Sequence, residues 1–225
     1  MVSGVVFDMG GILHPTPFEV LPEVERARGL PPGTLPRGPF DPNGDPDYRA
    51  MERGEIREPE YWERVRLRLT EIGIEFEVHE AIDWEGRDRP EVVEAIRRLS
   101  ARYPLGLLTN DAADWLGPDW QERWYLRDHF AAVVDAGVEG VRKPDPRIYR
   151  RVAQALGLPP EACLFVDDLP VNVEGARAVG MEAFLFDVTD PAGSVDRLLA
   201  VLSVDPRPGG QPLGITQKST CIPAR

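Results

Sequence analysis

Short apolar segments recur along the chain, and most of them end at a polar side chain. They are VVFD, LGLLT, AAVVDA, CLFVD and EAFLFD. From about residue 88 onward, helical patterns separate these segments, and strands that alternate with helices form a parallel sheet covered on both faces. The sequence therefore predicts an α/β fold, a Rossmann-like doubly wound parallel sheet, to which the N-terminal VVFD also belongs.

The predicted domain boundaries follow from where these patterns stop. Asp88, with Glu91 three residues later, is predicted to cap the helix before LGLLT, and Asp145, followed by Pro146, to cap the helix before CLFVD. Residues 15–87 instead show helical patterns rich in proline and charge, with no clear strand. The predicted division is a core of residues 1–14 and 88–203, a helical cap inserted at residues 15–87 and a flexible tail of residues 204–225.

Composition excludes several classes of protein. The 225 residues suffice for one or two domains with a proper core, and no run of about 18 apolar residues predicts a transmembrane helix. The formal net charge of -12 argues against a nucleic-acid surface, which needs clustered Lys and Arg. The start MVSGVVFD has no basic leader, and two cysteines, Cys163 and Cys221, make no disulfide framework. We expect a cytoplasmic monomer or homodimer.

Polar side chains follow three of the predicted strands. Asp8 ends VVFD, Thr109 and Asn110 end LGLLTN, and Asp167 with Asp168 ends CLFVDD, while Lys143 precedes a capped helix. Because the carboxyl ends of parallel strands meet at one edge, we expect these side chains to lie together. Carboxylates gathered in this way are costly unless a cation holds them, and oxygen ligands suit Mg²⁺, which takes one or two carboxylates plus a phosphate.

The segments VVFDMGG, LLTN, VRKPDPRIY and LFVDDLPVNVEGARAVG resemble the four motifs of the haloacid dehalogenase-like hydrolase superfamily. The similarity is greatest to subfamily IA, the branch with a C1 cap that includes the phosphatase domain of soluble epoxide hydrolase and bacterial glucose-1-phosphate phosphatases. It covers about residues 1–14 and 88–203. MERGEIREPEYWERV in the insertion also resembles a cap segment of this branch.

The resemblance implies a nucleophile and a metal site. Asp8 is expected to attack phosphorus and form an aspartyl-phosphate that water then hydrolyses. Asp8, Asp168 and the backbone carbonyl of Gly10 are the expected Mg²⁺ ligands, with Asp167 beside them as a neighbouring group or occasional ligand. The implied activity is Mg²⁺-dependent hydrolysis of a small phosphorylated metabolite, with a sugar phosphate as the leading substrate class.

The resemblance also implies a phosphate-binding set. Thr109 and Asn110 are expected to hold the oxygens of the transferred phosphoryl group. Lys143 is expected to neutralise charge on both the nucleophile and the phosphate. These roles agree with the chemistry of phosphoryl transfer, which needs positioning and countercharge rather than covalent help.

Gly10 departs from the pattern of the family, in which most phosphatases carry a second aspartate there as general acid and base. Such an acid contributes about 10²–10⁴ in rate. A substrate with a good leaving group, such as a sugar-1-phosphate or acyl phosphate, offers one explanation. His14, whose side chain type exchanges protons near neutral pH, and Asp111 are candidate substitutes. A binding module that holds a phosphorylated ligand without turnover is the alternative function.

Three further interpretations stay open at this stage. Carbon–halogen hydrolysis is an alternative chemistry, but those relatives lack the metal site that the Asp-Asp pair indicates. Aromatic residues are expected in the packed interior, or for some of them at the substrate entrance: Tyr48, Tyr61, Trp62, Trp115, Trp120, Trp124 and Tyr125. The ending TCIPAR contains Cys-x-Pro-x-Arg, the pattern read by enzymes that form formylglycine, but so short a pattern arises easily by chance and a disordered end is the favoured interpretation.

Overall fold

The computed structural model describes residues 2–84, 86–110 and 112–203. The predicted tail, residues 204–225, lies outside the described residues together with its Cys-x-Pro-x-Arg ending, and so does Asp111. In the described part of the chain, no helix combines the length and the apolar character needed to cross a membrane.

The sheet has five strands in the order β3-β2-β1-β4-β5, and every neighbouring pair is parallel. The strands are β1 (Gly4–Phe7), β2 (Leu105–Thr109), β3 (Ala132–Asp135), β4 (Cys163–Asp167) and β5 (Glu182–Leu185). From the central β1 the chain moves to one side through β2 and β3, and then to the other through β4 and β5. The predicted Rossmann-like parallel sheet is confirmed. Its order reverses at β1, where such sheets bind ligands.

The inserted segment, residues 15–87, is helical, as its pattern predicted. Its helices are α1 (Pro17–Arg28), α2 (Pro46–Glu52), α3 (Glu58–Glu71) and α4 (Val78–Ala81). Their apolar side chains form a cluster of their own, in which Tyr61 and Trp62 are buried against Phe18. The expectation that these two aromatic residues pack inside the insertion therefore agrees with the structure. The division into a core and a cap at residues 15–87 stays a prediction.

Helices also cover both faces of the sheet. They are α5 (Pro90–Ser100), α6 (Ala112–Leu116), α7 (Trp120–Arg123), α8 (Ala136–Glu139), α9 (Pro146–Ala155), α10 (Pro170–Ala178) and α11 (Pro191–Val201). Successive residues of β1 point to opposite faces. Val5 therefore packs in one cluster with Ile96 of α5 and Leu198 of α11, while Val6 packs in another with Tyr149 of α9. Both faces of the central strand β1 are thus closed to water, and the strand ends remain for ligands.

The start of α5 differs from the prediction. Its N-cap residue is Arg89, not Asp88, and Arg89 makes no side-chain cap hydrogen bond. The N–H of Arg89 donates to the carbonyl oxygen of Leu13 at 2.8 Å. This bond holds together the two linkers of the insertion, which are the chain segments around Leu13 and around Arg89. Asp88 lies in this crossing and directs its carboxylate to His14 and Tyr125 instead of to α5. These partners are distant in sequence, so local spacing does not reveal them.

The N-cap of α2 supports a first prediction. The carboxylate of Asp45 accepts hydrogen bonds from Asp47 N and Tyr48 N, and also from the hydroxyl of buried Tyr61 at 2.7 Å. We expect Asp45→Ala to lower the free energy of unfolding by about 2–4 kcal/mol, since the cap is worth about 1 kcal/mol and an unpaired buried hydroxyl about 1–3. Urea unfolding measures the change.

A matched control exists in α9, where the predicted cap by Asp145 is present and accepts from Arg147 N. Asp145→Ala removes an N-cap that holds no buried hydroxyl, so its loss is expected to be clearly smaller. Equal losses in the two variants would contradict the role given to the Tyr61 contact.

Candidate active site

Three carboxylates meet at the carboxyl ends of the two central strands. Asp8 directly follows β1, and its N–H donates to the carbonyl oxygen of Val166 on β4 at 2.9 Å. Asp167 is the last residue of β4, and Asp168 follows it. Carboxylate oxygens of Asp8, Asp167 and Asp168 lie within 4.8 Å of one another. The parallel arrangement of β1 and β4 thus brings these side chains together.

Lys143 connects two of the carboxylates. Its Nζ lies 2.8 Å from Asp8 Oδ1 and 2.8 Å from Asp167 Oδ2, and the residue is only 6% exposed. It belongs to the loop between α8 and α9, so neither strand carries it to the site. An ammonium buried between two carboxylates fixes the orientation of both.

Burial and charge shift the proton equilibria of this cluster. Burial raises the pKa of Asp8 to about 7, although the positive charge of Lys143 opposes the shift. Burial, and then the neighbouring charges of Asp167 and Asp8, raise the pKa of Asp168 well above its usual value. Burial alone would lower the pKa of Lys143, but Asp167 and Asp8 raise it. The cluster therefore holds more negative charge than one ammonium compensates.

The residues present fit a divalent cation. Three carboxylates against one ammonium leave an excess of two negative charges, which a divalent cation balances. Among the residues that the structure describes, no Lys or Arg forms an ion pair with Asp168. Oxygen-only ligands favour Mg²⁺ or Ca²⁺ over softer metals. Gly10, whose carbonyl is the third predicted ligand, belongs to the turn after Asp8 and lines the same cavity.

Asn172 holds Asp167 in place, and the sequence interpretation missed it. Its Nδ2 donates to Asp167 Oδ1 at 3.0 Å and to Oδ2 at 3.2 Å. Leu169 N donates to Asp167 Oδ1 as well. Asp167 is therefore fully enclosed by donors, whereas Asp168 faces the cavity. The sequence signal that could have identified Asn172 is an amide side chain on the first turn of the helix that follows Asp-Asp.

The two predicted phosphate-binding residues at the end of β2, Thr109 and Asn110, have different surroundings. Thr109 is buried and lines the cavity. The amide of Asn110 is bonded to the backbone of Lys143: its Oδ1 accepts from Lys143 N at 2.8 Å, and its Nδ2 lies 3.5 Å from Lys143 O. Asn110 thus fixes the position of Lys143. Asp135, which ends β3 and was not singled out in the sequence, accepts from Ala113 N and Gly137 N and secures the neighbouring loops.

These residues line one cavity of about 130 Å³, many times the space that a single water molecule needs. Its floor is the polar cluster at the strand ends. Its walls away from that cluster are largely apolar and aromatic. The insertion contributes Phe18, Tyr48, Met51, Glu58 and Trp84, and α6 contributes Trp115 and Leu116. Trp84 and Trp115 meet edge to face, with ring centroids 5.6 Å apart. Trp115 is therefore a wall of the cavity, one of the two positions considered for it from sequence.

His14 also lines the cavity, and its side chain contacts Asp88, which in turn contacts Tyr125. Its Nδ1 lies 2.8 Å from Asp88 Oδ1, and the hydroxyl of Tyr125 donates to Asp88 Oδ2 at 2.6 Å. Burial raises the pKa of Asp88, but the contacts with His14 and Tyr125 outweigh it and lower that pKa below its usual value. His14 Nε2 is buried and, within residues 2–84, 86–110 and 112–203, has no hydrogen-bond partner.

A comparison with known protein families identifies the class of this fold and site. Residues 2–180 match the family model of haloacid dehalogenase-like hydrolases. The chain therefore belongs to the haloacid dehalogenase-like hydrolase family, and the resemblance seen in its motifs is confirmed.

Curated relatives agree with this assignment. A protein named as a phosphatase from Mycobacterium tuberculosis is 39% identical over 99 residues, which are 44% of this chain and 44% of that protein. Bifunctional epoxide hydrolase 2 of Sus scrofa is 25% identical over 210 residues, which are 85% of this chain and 37% of that protein. The chain thus spans less than half the length of each of these relatives.

A solved structure shares the fold. The HAD hydrolase YfnB of Bacillus subtilis, solved with magnesium bound, superposes with a TM-score of 0.68 at 15% identity, over 90% of this chain and 99% of that chain. At this identity the likeness concerns the fold alone.

Proposed function

We propose that this protein hydrolyses a small phosphomonoester through an aspartyl-phosphate on Asp8, with Mg²⁺ as its cofactor. The observation that carries the proposal is the carboxylate of Asp8 at the end of β1, held by buried Lys143 beside two further carboxylates on the floor of a cavity. A nucleophile, a countercharge and a place for a divalent cation are the requirements of phosphoryl transfer.

The residues of this chain divide the work. Asp8 Oδ1 accepts from Met9 N at 2.7 Å and from Lys143 Nζ, so both contacts fall on one oxygen and leave Oδ2 for attack on phosphorus. Lys143 opposes the rise that burial causes in the pKa of Asp8, and its ammonium is the proposed countercharge for the phosphoryl oxygens. Thr109 offers a hydroxyl to those oxygens. Mg²⁺ held by Asp8, Asp168 and the Gly10 carbonyl would neutralise the negative charge that the phosphate brings.

The identity of the substrate is part of the proposal. The name of the Mycobacterium tuberculosis relative supports phosphatase activity. The aromatic walls of the cavity and its few polar groups suit the face of a sugar or a ring, so a sugar phosphate remains the leading substrate class. Carbon–halogen hydrolysis is disfavoured because that reaction has no use for the excess negative charge of Asp8, Asp167 and Asp168.

Release of inorganic phosphate tests the proposal. The wild-type protein is incubated with sugar-1-phosphates, other sugar phosphates and p-nitrophenyl phosphate, with Mg²⁺ or with a chelator. We expect turnover with Mg²⁺ and its loss with the chelator. Tight binding of phosphate without turnover of any ester would instead favour the alternative function, a binding module for a phosphorylated ligand.

Metal binding supports a separate prediction that does not depend on turnover. We expect Mg²⁺ at one hundred times its Kd to stabilise the wild-type protein by about 2.7 kcal/mol. Asp168→Asn is expected to abolish this stabilisation. Asp168 is the carboxylate of the cluster that forms no ion pair with a Lys or Arg among the described residues, so it is the one that needs the metal ion. Thermal unfolding with and without Mg²⁺ measures the shift in Tm. Asp187→Asn, at an exposed aspartate outside the cavity, should keep the full shift, and an unchanged shift in Asp168→Asn would assign the metal to other ligands.

A further inference from the structure

The leaving group of a phosphomonoester needs a proton when its oxygen is basic. Breaking the P–O bond leaves the electron pair on that oxygen, and a positioned acid accelerates the step by about 10²–10⁴. Gly10 supplies no such acid. This inference rests on the proposed function and concerns which residue of the same cavity protonates the leaving group.

Most titratable residues of the cavity are already committed. Asp8 and Lys143 bind each other, and Asp168 belongs to the proposed metal site. Burial raises the pKa of Tyr48 further above neutrality, so its hydroxyl retains its proton. Glu58 begins α3 and accepts the indole N–H of Trp62 at 3.2 Å. His14 is the group that remains among the described residues of this cavity.

The backbone brings His14 close to the nucleophile. After Asp8 the chain forms a tight turn in which Leu13 N and His14 N both donate to the carbonyl oxygen of Met9, at 2.8 and 3.3 Å. Six residues of chain are thus folded back so that His14 lines the same cavity as Asp8. The imidazole lies beside Trp84, with ring centroids 6.1 Å apart.

The two nitrogens of His14 differ in what lies beside them, although neither meets the geometry of a hydrogen bond with the described residues. Nδ1 faces the Asp88 carboxylate, whose other oxygen accepts from Tyr125. Nε2 is buried in the cavity wall, and the described residues give it no partner; the same holds for the neighbouring indole Nε1 of Trp84. Buried polar atoms are almost always paired. A buried donor in a residue that lines a cavity, with no partner among the described residues, points to a ligand that supplies one.

We propose that His14 is the general acid and base that takes the place of the missing carboxylate at Gly10. In the first half-reaction an Asp8 oxygen bonds to phosphorus, the P–O bond to the leaving group breaks, and the proton on His14 Nε2 passes to the departing oxygen, which gives an alcohol. In the second, Nε2 takes a proton from the water that attacks the aspartyl-phosphate. The Asp8–phosphorus bond breaks, its electron pair returns to the carboxylate, inorganic phosphate leaves and His14 is protonated again.

Asp88 and Tyr125 act through His14 as positioning residues. The carboxylate of Asp88 lies 2.8 Å from Nδ1 and orients the ring, so the proton that is transferred is the one on Nε2. Tyr125 holds the second oxygen of Asp88 and prevents the carboxylate from turning away. This arrangement also explains why Asp88 does not cap α5.

A series of substituted phenyl phosphates tests the proposal, because these esters share a shape but differ in the basicity of the leaving oxygen. We expect His14→Gln to reduce kcat/KM for phenyl phosphate by about 10²-fold and for p-nitrophenyl phosphate by less than about tenfold, since p-nitrophenolate departs without a proton. Asp88→Asn should steepen the dependence on leaving group in the same direction, to a smaller extent. His129→Gln, at a histidine paired with Ser100 outside the cavity, should leave the ratio unchanged.

A second substitution distinguishes chemistry from structure. A Cβ built on Gly10 meets no atom within 4 Å, so Gly10→Asp has room for a new carboxylic acid two residues after the nucleophile. In the His14→Gln background we expect Gly10→Asp to restore phenyl phosphate hydrolysis by at least about tenfold. A contact of His14 and Asp88 that merely held the two linkers would not be replaced by a carboxylate at residue 10.

The outcomes separate the two proposals. A uniform loss across the aryl series that Gly10→Asp does not relieve would assign His14 to the linkers and overturn the inference. Undiminished hydrolysis of phenyl phosphate by His14→Gln would overturn it as well. In both cases Mg²⁺-dependent turnover by the wild type would leave the proposed function standing, whereas no turnover of even p-nitrophenyl phosphate by the wild type would remove both.

Discussion

Asp8→Asn is expected to lower Mg²⁺-dependent phosphate release by about 10⁴-fold or more while the protein stays folded. An amide is a very poor nucleophile towards phosphorus, and removal of a covalent catalyst abolishes the pathway rather than slowing one step. The amide oxygen of asparagine still accepts from Met9 N and Lys143 Nζ, the two donors that contact Asp8 Oδ1. The geometry at the end of β1 is therefore preserved.

Stability provides the internal control for this variant. Burial raises the pKa of Asp8 to about 7, so the metal-free folded protein binds more protons than the unfolded chain between about pH 4 and 7. Its stability falls as pH rises through that window, and the cost is fully present above pH 7. At pH 8 without metal, Asp8→Asn removes this cost and should raise Tm.

Two measurements complete the test of Asp8. Acid quenching during turnover should trap covalent phosphate on the wild-type protein and none on Asp8→Asn. Asp187→Asn, the exposed aspartate used as a control above, should retain both turnover and trapped phosphate. Turnover by Asp8→Asn at the wild-type rate would exclude Asp8 as the nucleophile.

Lys143→Met should lower the free energy of unfolding by about 3–5 kcal/mol in the absence of metal and reduce phosphate release by about 10²–10³-fold. Methionine keeps the length of the side chain but leaves Asp8 and Asp167 buried without a countercharge. The loss arises mainly from these uncompensated carboxylates. Urea unfolding and phosphate release measure the two effects.

An exposed ion pair gives the matched control for Lys143→Met. Arg147 pairs with Asp145 on the surface, with side chains 72% and 34% exposed, and solvent screens such pairs. Arg147→Met should change stability and activity little. A similarly small effect in Lys143→Met would mean that the buried ion pairs of Lys143 with Asp8 and Asp167 contribute nothing to stability or activity, contrary to their geometry.

The sequence predicted those parts of the fold and site that depend on local pattern. Apolar runs that end at Asp8, Thr109 and Asp167 identified strands, and the parallel arrangement then placed their ends together. The cap by Asp145 followed from its spacing to Pro146. Burial of Tyr61 and Trp62 was also expected, since both are large aromatic side chains among the apolar residues of a predicted helix.

The remainder depended on contacts between distant segments, which local pattern does not encode. Asp88 carries the composition of an N-cap, yet the crossing of the two linkers gives it His14 as a partner. The amide of Asn110 lines the cavity, and its role at the phosphate stays a prediction, but its bonds to the backbone of Lys143 were not foreseen. Asn172 acquires its role only when the first turn of α10 folds back on the end of β4.

The buried bridge of Lys143 has a practical consequence for chemical labelling. Lys143 and Lys218 are the lysines of the entire sequence, and the ammonium of Lys143 is enclosed by two carboxylates. An amine-reactive dye needs an accessible, neutral amine, so Lys143 should not take up label in the folded protein. Appearance of the dye on Lys143 would then report that its ion pairs with Asp8 and Asp167 have opened.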